Sequence, residues 1–299
     1  MEIFCDVAGL RSFSQAARLH NVSQSSASQS VNMMEKQLGL QLIDRSKRPL
    51  ELTPAGQIYL DGCREILETY EKTEHRLLDL NNRVIGRLRI AAIYSTGLLQ
   101  MDTFINHYRE HYPDVHLDLD YLHPEEVYER VATNKADLGL VSFPREGGDF
   151  TSIPWCEQDM VVVIPTNHKM RACDEIAIEE LDRLNFVAFT PELRIRKTID
   201  RWFKQAKIAV SVVHEFDNIE HIKRAVEIGS GVSILPGPTV SREVEIGVLK
   251  TVKIAGEGWI RPLGVVHKRH KTISTAAEKF IELITADQGR IQNKIPTIG

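Results

Sequence analysis

A chain of 299 residues with 42% hydrophobic and 26% charged residues is long enough for two or three folding units and ordinary in composition for a globular protein. The longest apolar run, residues 160–164, is far too short to span a membrane, and Cys5, Cys63, Cys156 and Cys173 lie too far apart in sequence to suggest a zinc knuckle or a disulfide framework. A formal net charge of −4 argues against a general nucleic-acid coat, so any DNA contact has to be local.

Met1-Glu2-Ile3-Phe4 carries no basic segment and no small-residue cleavage site, so the expected location is the cytoplasm. Three short helical patterns then follow one another over residues 3–8, 14–20 and 23–38. Ser14 and Ser23 precede the second and third, each placed to accept a hydrogen bond from an orphan backbone N–H as an N-cap. Asn21-Val22 leaves room only for a tight turn. Helix, turn and second helix make a helix-turn-helix, whose second helix enters the DNA major groove. In the third pattern Ala27, Val31, Met34 and Leu38 form a stripe that faces a core. The opposite face carries Ser25, Gln29, Asn32 and Lys36, with Ser23, Gln24 and Ser28 at its start and margins. Gln and Asn can pair two bonds with an adenine edge, and Ser can take a base edge or a phosphate oxygen. An ordinary solvated face has the same composition; the preceding cap, turn and helix favour the DNA reading.

After Gly39, residues 40–52 form two alternating stretches around a basic, proline-stopped turn, the pattern of a β-wing. Arg45, Lys47 and Arg48 sit at its tip, placed for phosphates or the minor groove, with a solvated turn as the alternative. Through Thr53 six basic residues face five acidic ones, so charge alone does not reveal a DNA-binding module.

Ser12-Phe13-Ser14-Gln15-Ala16-Ala17, Val22-Ser23-Gln24-Ser25, Glu35-Lys36-Gln37-Leu38-Gly39-Leu40 and Leu50-Glu51-Leu52-Thr53-Pro54-Ala55-Gly56 together resemble the LysR-type transcriptional regulators. The resemblance implies a winged helix-turn-helix whose third helix reads the major groove of operator DNA. That family usually has a basic residue where this chain has Gln29, and often where it has Asn32 and Met33, which implies weaker or differently specific base contacts. The chain also begins inside what the resemblance implies is the first helix.

Thr53 as N-cap with Pro54 at the first helical position opens a helix read to about residue 83. Tyr59, Cys63, Ile66, Tyr70, Thr73, Leu77, Leu80 and Val84 alternate spacings of four and three, the seam of a coiled coil. Tyr59, Cys63, Ile66, Tyr70, Leu77 and Leu80 are therefore candidate dimerisation residues. Packing against the chain's own wing helices is the alternative, and the resemblance favours a homodimer or homotetramer.

From Arg87 onward strands and helices alternate: strand 87–94, helix 98–111, strand 115–121, helix 125–134 and strand 138–143. A weaker echo follows over 186–189, 197–206, 210–216, 219–228 and 232–235, with Asp217 and Glu220 as a capping box. Such alternation predicts parallel βαβ units in two similar lobes. A strand over 260–267 and a helix over 273–284 would return to the first lobe, as the resemblance implies for a periplasmic-binding-protein-like α/β effector domain. The expected organisation is a winged helix-turn-helix at 1–53, a linker or dimerisation helix at 54–85, and an effector domain at 86–286. Its lobes cover about 86–160 with 258–286, and about 161–257; residues 287–299 form a tail.

Ligands of open α/β sheets sit beyond the carboxyl ends of strands, near helix N-termini. Ser95, Thr96, Ser142 and Thr190 stand at such ends, and Arg194 and Arg196 add charge suited to a small anionic effector. Helix capping accounts for each hydroxyl singly; their corresponding places in two lobes favour a shared pocket. An α/β enzyme or a ligand-binding protein with an appended interaction domain is the competing class. There is no phosphate loop, zinc-protease helix or nucleophile elbow, and the eleven histidines are scattered. His267 and His270 read as part of an exposed basic turn, so neither metal nor cofactor is expected. The expected partners are double-stranded operator DNA and a small molecule, with transcription machinery open and no membrane.

Overall fold

The computed structural model describes residues 1–79, 83–145, 147–269 and 271–286. The chain divides into two compact units, Met1–Arg83 and Val84–Gly299.

The first unit contains α1 (Glu2–Leu10), α2 (Phe13–Leu19), α3 (Gln24–Leu38), β1 (Ile43–Asp44), β2 (Glu51–Leu52) and α4 (Pro54–Asp79). Ser23 caps α3 as the sequence suggests, accepting from Ser26 N–H at 3.1 Å, and Gly39 ends the helix with φ +66°. The cap of α2 is Ser12, not Ser14. Ser12 is the last extended residue and accepts from Gln15 N–H at 3.3 Å, whereas Ser14 already lies inside the helix. Thr53 heads α4: its hydroxyl accepts from Gly56 N–H at 3.0 Å and donates to the Gln41 carbonyl at 2.6 Å. Phe4, Val7, Ala16, Val31, Leu42, Ile43, Leu60 and Cys63 form the core, each large apolar side chain contributing roughly 1.5–3 kcal/mol. Leu38 departs from the expected stripe and is exposed, because the last turn of α3 runs past that core.

The second unit contains, in order, β3 (Gly86–Ile93), α5 (Tyr94–His111), β4 (Val115–Leu122), α6 (Pro124–Ala132), β5 (Leu138–Ser142), β6 (Phe150–Pro165), β7 (Glu175–Ile176), β8 (Asn185–Phe189), α7 (Arg194–Ala206), β9 (Ser211–Phe216), α8 (Ile219–Glu227), β10 (Ser233–Pro236), α9 (Ser241–Glu245), β11 (Leu249–Ile254), β12 (Ile260–Lys268) and α10 (Thr275–Ala286). Its main sheet has the order β4-β3-β5-β12-β6-β11-β7, with β10 also on β6, and β8 pairs with β9 separately. Parallel pairing holds for β3 with β4 and β5, and for β8 with β9. The centre is antiparallel, which the expectation of parallel βαβ units missed. Strand β6 pairs with β12 over its first part and with β10 and β11 over its last, so a single strand runs through both halves of the unit.

Two cores result. Leu88, Ile90, Leu138, Leu140, Trp155, Val265 and Phe280 pack in one half, and Val162, Ile164, Phe186, Trp202, Phe203, Ile222 and Ile234 in the other. Helices α5 and α7 begin earlier than expected, at Tyr94 and Arg194, which places Ser95 and Thr96 inside the first turn of α5. The cap of α8 is Asn218, whose Oδ1 accepts from His221 N–H at 3.0 Å; Glu220 closes no capping box and pairs with Lys223 at 2.9 Å.

Candidate DNA-binding face and effector cavity

On α3, Ser23, Gln24, Ser25 and Gln29 are exposed, and Ser28 and Asn32 are half-buried. The Ser23 hydroxyl hydrogen-bonds Ser25 and Ser26 at 2.8 Å each, which fixes the first turn. The amides of Gln24, Gln29 and Asn32 take part in no hydrogen bond among the described residues, leaving their donors and acceptors for an outside partner.

The wing is less basic than its sequence. Glu35 on α3 accepts from Leu42 N–H at 2.8 Å and Ile43 N–H at 3.1 Å, and its other oxygen holds Arg45 at 2.8 Å. The Arg45 guanidinium also lies 5.4 Å from the Phe13 ring centroid, so this arginine braces the wing against α2 and α3. Lys47 is paired with Glu51, whose hydrogen bond holds the ammonium pKa above its ordinary value. Arg48 donates only to the carbonyls of Arg45 and Lys47, at 3.4 Å each, and is the one wing cation without an acidic partner among the described residues.

Along α4 the expected seam divides. Cys63 is buried in the unit's own core, and Tyr59 packs edge-on against Phe4 with ring centroids 5.3 Å apart. These two face inward because α4 closes the first unit over α1. Ile66 and Tyr70 are exposed, at 54% and 60%. Leu77 has only its helical backbone described, and Leu80 lies outside the described residues.

In the second unit a cavity of about 670 Å³ opens between the two halves, lined by Ser95, Tyr128, Ser142, Arg194, Ile219 and Arg261 among others. That volume suits a small organic ligand. Arg261, on β12, is 2% exposed. Its Nη2 donates to the Ser95 hydroxyl at 2.6 Å and its Nη1 to Gln158 Oε1 at 3.2 Å, while Nε is buried without a partner. Burial pushes its pKa down to about 10, against a weak opposing influence from Cys156. A guanidinium held out of water by two neutral acceptors lacks the acid with which a buried cation is ordinarily paired. The sequence signal was available: Arg261 is a lone charge inside the apolar strand Ile260-Arg261-Pro262-Leu263-Gly264-Val265-Val266.

The other expected residues are distributed unevenly. Ser142 lines the cavity, and Arg194 reaches across it, donating to the Phe143 carbonyl at 3.2 Å. Thr96 is fully buried and does not line the cavity, its hydroxyl without a partner. Thr190 does not line the cavity either: its N–H is bound to the Phe216 carbonyl at 3.0 Å, and its buried hydroxyl has no partner among the described residues. Arg196 is committed to structure, tying Asp200, Glu215 and the Phe189 carbonyl together. Arg145 enters unexpectedly: it pairs with Glu125 and lies 4.3 Å from the Tyr128 ring centroid. Among the described residues there is no group of three metal-ligating side chains, and no helix is long and apolar enough to cross a membrane.

Residues 81–288 match the family described as LysR substrate binding domain, and residues 1–57 match the bacterial regulatory helix-turn-helix proteins of the lysR family. The chain belongs to the LysR family of transcriptional regulators. This LysR-type regulator is 32% identical over 275 residues to a probable RuBisCO transcriptional regulator of Gracilaria tenuistipitata var. liui, covering 90% of this chain and 89% of the relative. A probable RuBisCO transcriptional regulator of Synechocystis is 30% identical over 287 residues, covering 94% and 83%. Among solved structures, a full-length OxyR variant from Pseudomonas aeruginosa superposes with TM-score 0.75 at 22% identity, covering 95% of this chain and 92% of that one. The Synechocystis CcmR regulatory domain in complex with 2-PG does so with TM-score 0.63 at 24% identity, covering 69% and 99%. The LysR-type chain is a DNA-binding transcription regulator with an effector-binding domain, and not an enzyme.

Proposed function

We propose that this LysR-type regulator reads operator DNA with Gln24, Ser25, Ser28, Gln29 and Asn32 of α3, anchors to phosphate through Arg48, and senses a small acid held by Arg261 and Ser95. The burial of Arg261 without a carboxylate partner carries the effector reading. An effector carboxylate or phosphate that replaced one of the neutral acceptors would supply the missing charge, a stronger bond than either of them provides. Arg194, joined to Phe143 across the cavity, is the contact such a ligand would rearrange, which links occupancy to the disposition of the two halves.

Two copies joined through α4 at Ile66 and Tyr70 would present two recognition helices to a pseudo-palindromic operator. The test of the effector site is the melting temperature of the full chain with a panel of small carboxylates and phosphates. Members of the panel stabilise the native chain and none stabilises Arg261→Gln. Equal shifts in both proteins, or no shift in either, overturn the assignment.

A further inference from the structure

The cavity lining carries more acidic than basic side chains. Five carboxylates line it, Glu125, Glu126, Glu192, Asp217 and Glu220, against the three guanidiniums of Arg145, Arg194 and Arg261. The guanidiniums are unequally available. Arg145 is paired with Glu125, whereas Arg194 is bonded only to the neutral Phe143 carbonyl and the buried Arg261 only to neutral acceptors, its Nε without a partner. The carboxylates divide in the same way. Glu125 has Arg145 and Glu220 has Lys223, whereas no cation is paired with Glu126, Glu192 or Asp217 among the described residues. Asp217 accepts from the Asn218 amide at 3.1 Å, a neutral donor that leaves the negative charge in place. His123 and Lys197 lower the Glu192 pKa through space, though neither forms an ion pair with it among the described residues.

Two guanidiniums without an acidic partner, Arg194 and Arg261, thus face three carboxylates without a paired cation, so a ligand with two acidic ends leaves the excess negative charge of the lining unanswered. A ligand with one acidic and one ammonium end satisfies both kinds of group. Resting on the assignment of the cavity as an acid-binding site, we infer that the effector is amphoteric, an amino acid or a related amino-carboxylate or amino-phosphate, its acid on Arg261 and Ser95 and its ammonium among Glu126, Glu192 and Asp217. Glu126 and Glu192 come from opposite halves of the unit, in the first turn of α6 and just before α7, so the ammonium also bears on how the halves close.

Isothermal titration of the full chain with chain-length-matched probes tests this. The probes are the standard α-amino acids, ω-amino carboxylates of three to six carbons, the corresponding plain carboxylates, α,ω-dicarboxylates and α,ω-diamines. The tightest amino-carboxylate is expected to bind at least about tenfold more tightly than its dicarboxylate and plain-carboxylate counterparts. In Glu192→Gln/Asp217→Asn, two exposed changes that spare the core, that preference should fall severalfold while plain carboxylates bind no worse. Dicarboxylates or plain carboxylates binding as tightly as amino-carboxylates would overturn the amphoteric assignment and leave Arg261 as an anion site. Diamines binding most tightly, or no probe binding at all, would overturn the acid-binding role of Arg261 together with it.

Discussion

Arg261 on β12 donates to the Ser95 hydroxyl at 2.6 Å, joining this strand to the first turn of α5 across 166 residues of sequence. The bond does not offset what the charge loses. With a pKa lowered to about 10 by burial, the cation binds its proton more weakly in the folded chain than in the unfolded one. Its burial therefore destabilises the fold at neutral pH, by an amount on the order of 3 kcal/mol, and the penalty fades only as pH rises through about 10 toward the ordinary arginine value. Two hydrogen bonds return about 1 kcal/mol each. Arg261→Gln is thus expected to raise the stability of the ligand-free second unit by about 1 kcal/mol, or roughly 2–4 °C in melting temperature, while abolishing ligand-induced stabilisation. Calorimetry showing a fall of several degrees would mean that the arginine is a structural brace.

Thr96, one residue on from Ser95, points the other way. Its fully buried hydroxyl has no partner, so Thr96→Val replaces an unsatisfied polar group with a methyl of similar shape. Denaturant midpoints should move toward greater stability by about 1 kcal/mol, with probe affinity unchanged. Loss of probe binding in Thr96→Val would return this residue to the site.

In the first unit, Gly56 lies where a Cβ would sit 1.9 Å from the Leu42 carbonyl oxygen. That neighbour is backbone, fixed by its bond from Thr53 N–H at 3.0 Å, and cannot swing aside. Gly56→Ala should cost about 3 kcal/mol or more and be seen as loss of operator binding together with an early unfolding transition. Native-like melting would show that the wing can shift at no cost.

The pairing of the wing cations separates their roles. Arg48→Ala should weaken binding to every DNA sequence alike and lower the salt slope by about 1, read by anisotropy titration over a range of potassium chloride. Arg45→Ala should change the slope less, because Arg45 is already committed to Glu35, and should lower thermal stability instead. The reverse ranking would place Arg45 on the phosphates.

Ile66 is 54% exposed on a helix whose adjacent Cys63 is buried. Sedimentation of Ile66→Asp should shift from dimer toward monomer at micromolar concentration, with operator affinity falling and the effector unit still folded. A dimer of unchanged stability would move the interface elsewhere.

What the sequence determined by itself is local. The Ser23 cap, the Gly39 stop, Thr53-Pro54 and the alternating apolar spacings act over one to four residues, and they specify the helix-turn-helix, the long helix and the alternation of strands and helices wherever the chain lies. The amide face of α3 is legible for the same reason, since a helix presents its polar residues by angle alone. Tertiary structure decided which of those groups remain free. Glu35 and Glu51 neutralise Arg45 and Lys47, the core claims Cys63 and Tyr59, and Arg196 is consumed by Asp200 and Glu215. Strand β6 was missed because its identity depends on partners from β10, β11 and β12. Arg261 was missed because the cost of a charge depends on whether water or protein surrounds it. Only residues far apart in the chain, Ser95 and Gln158 among them, come together around Arg261 to remove that water and set the arginine beside a cavity.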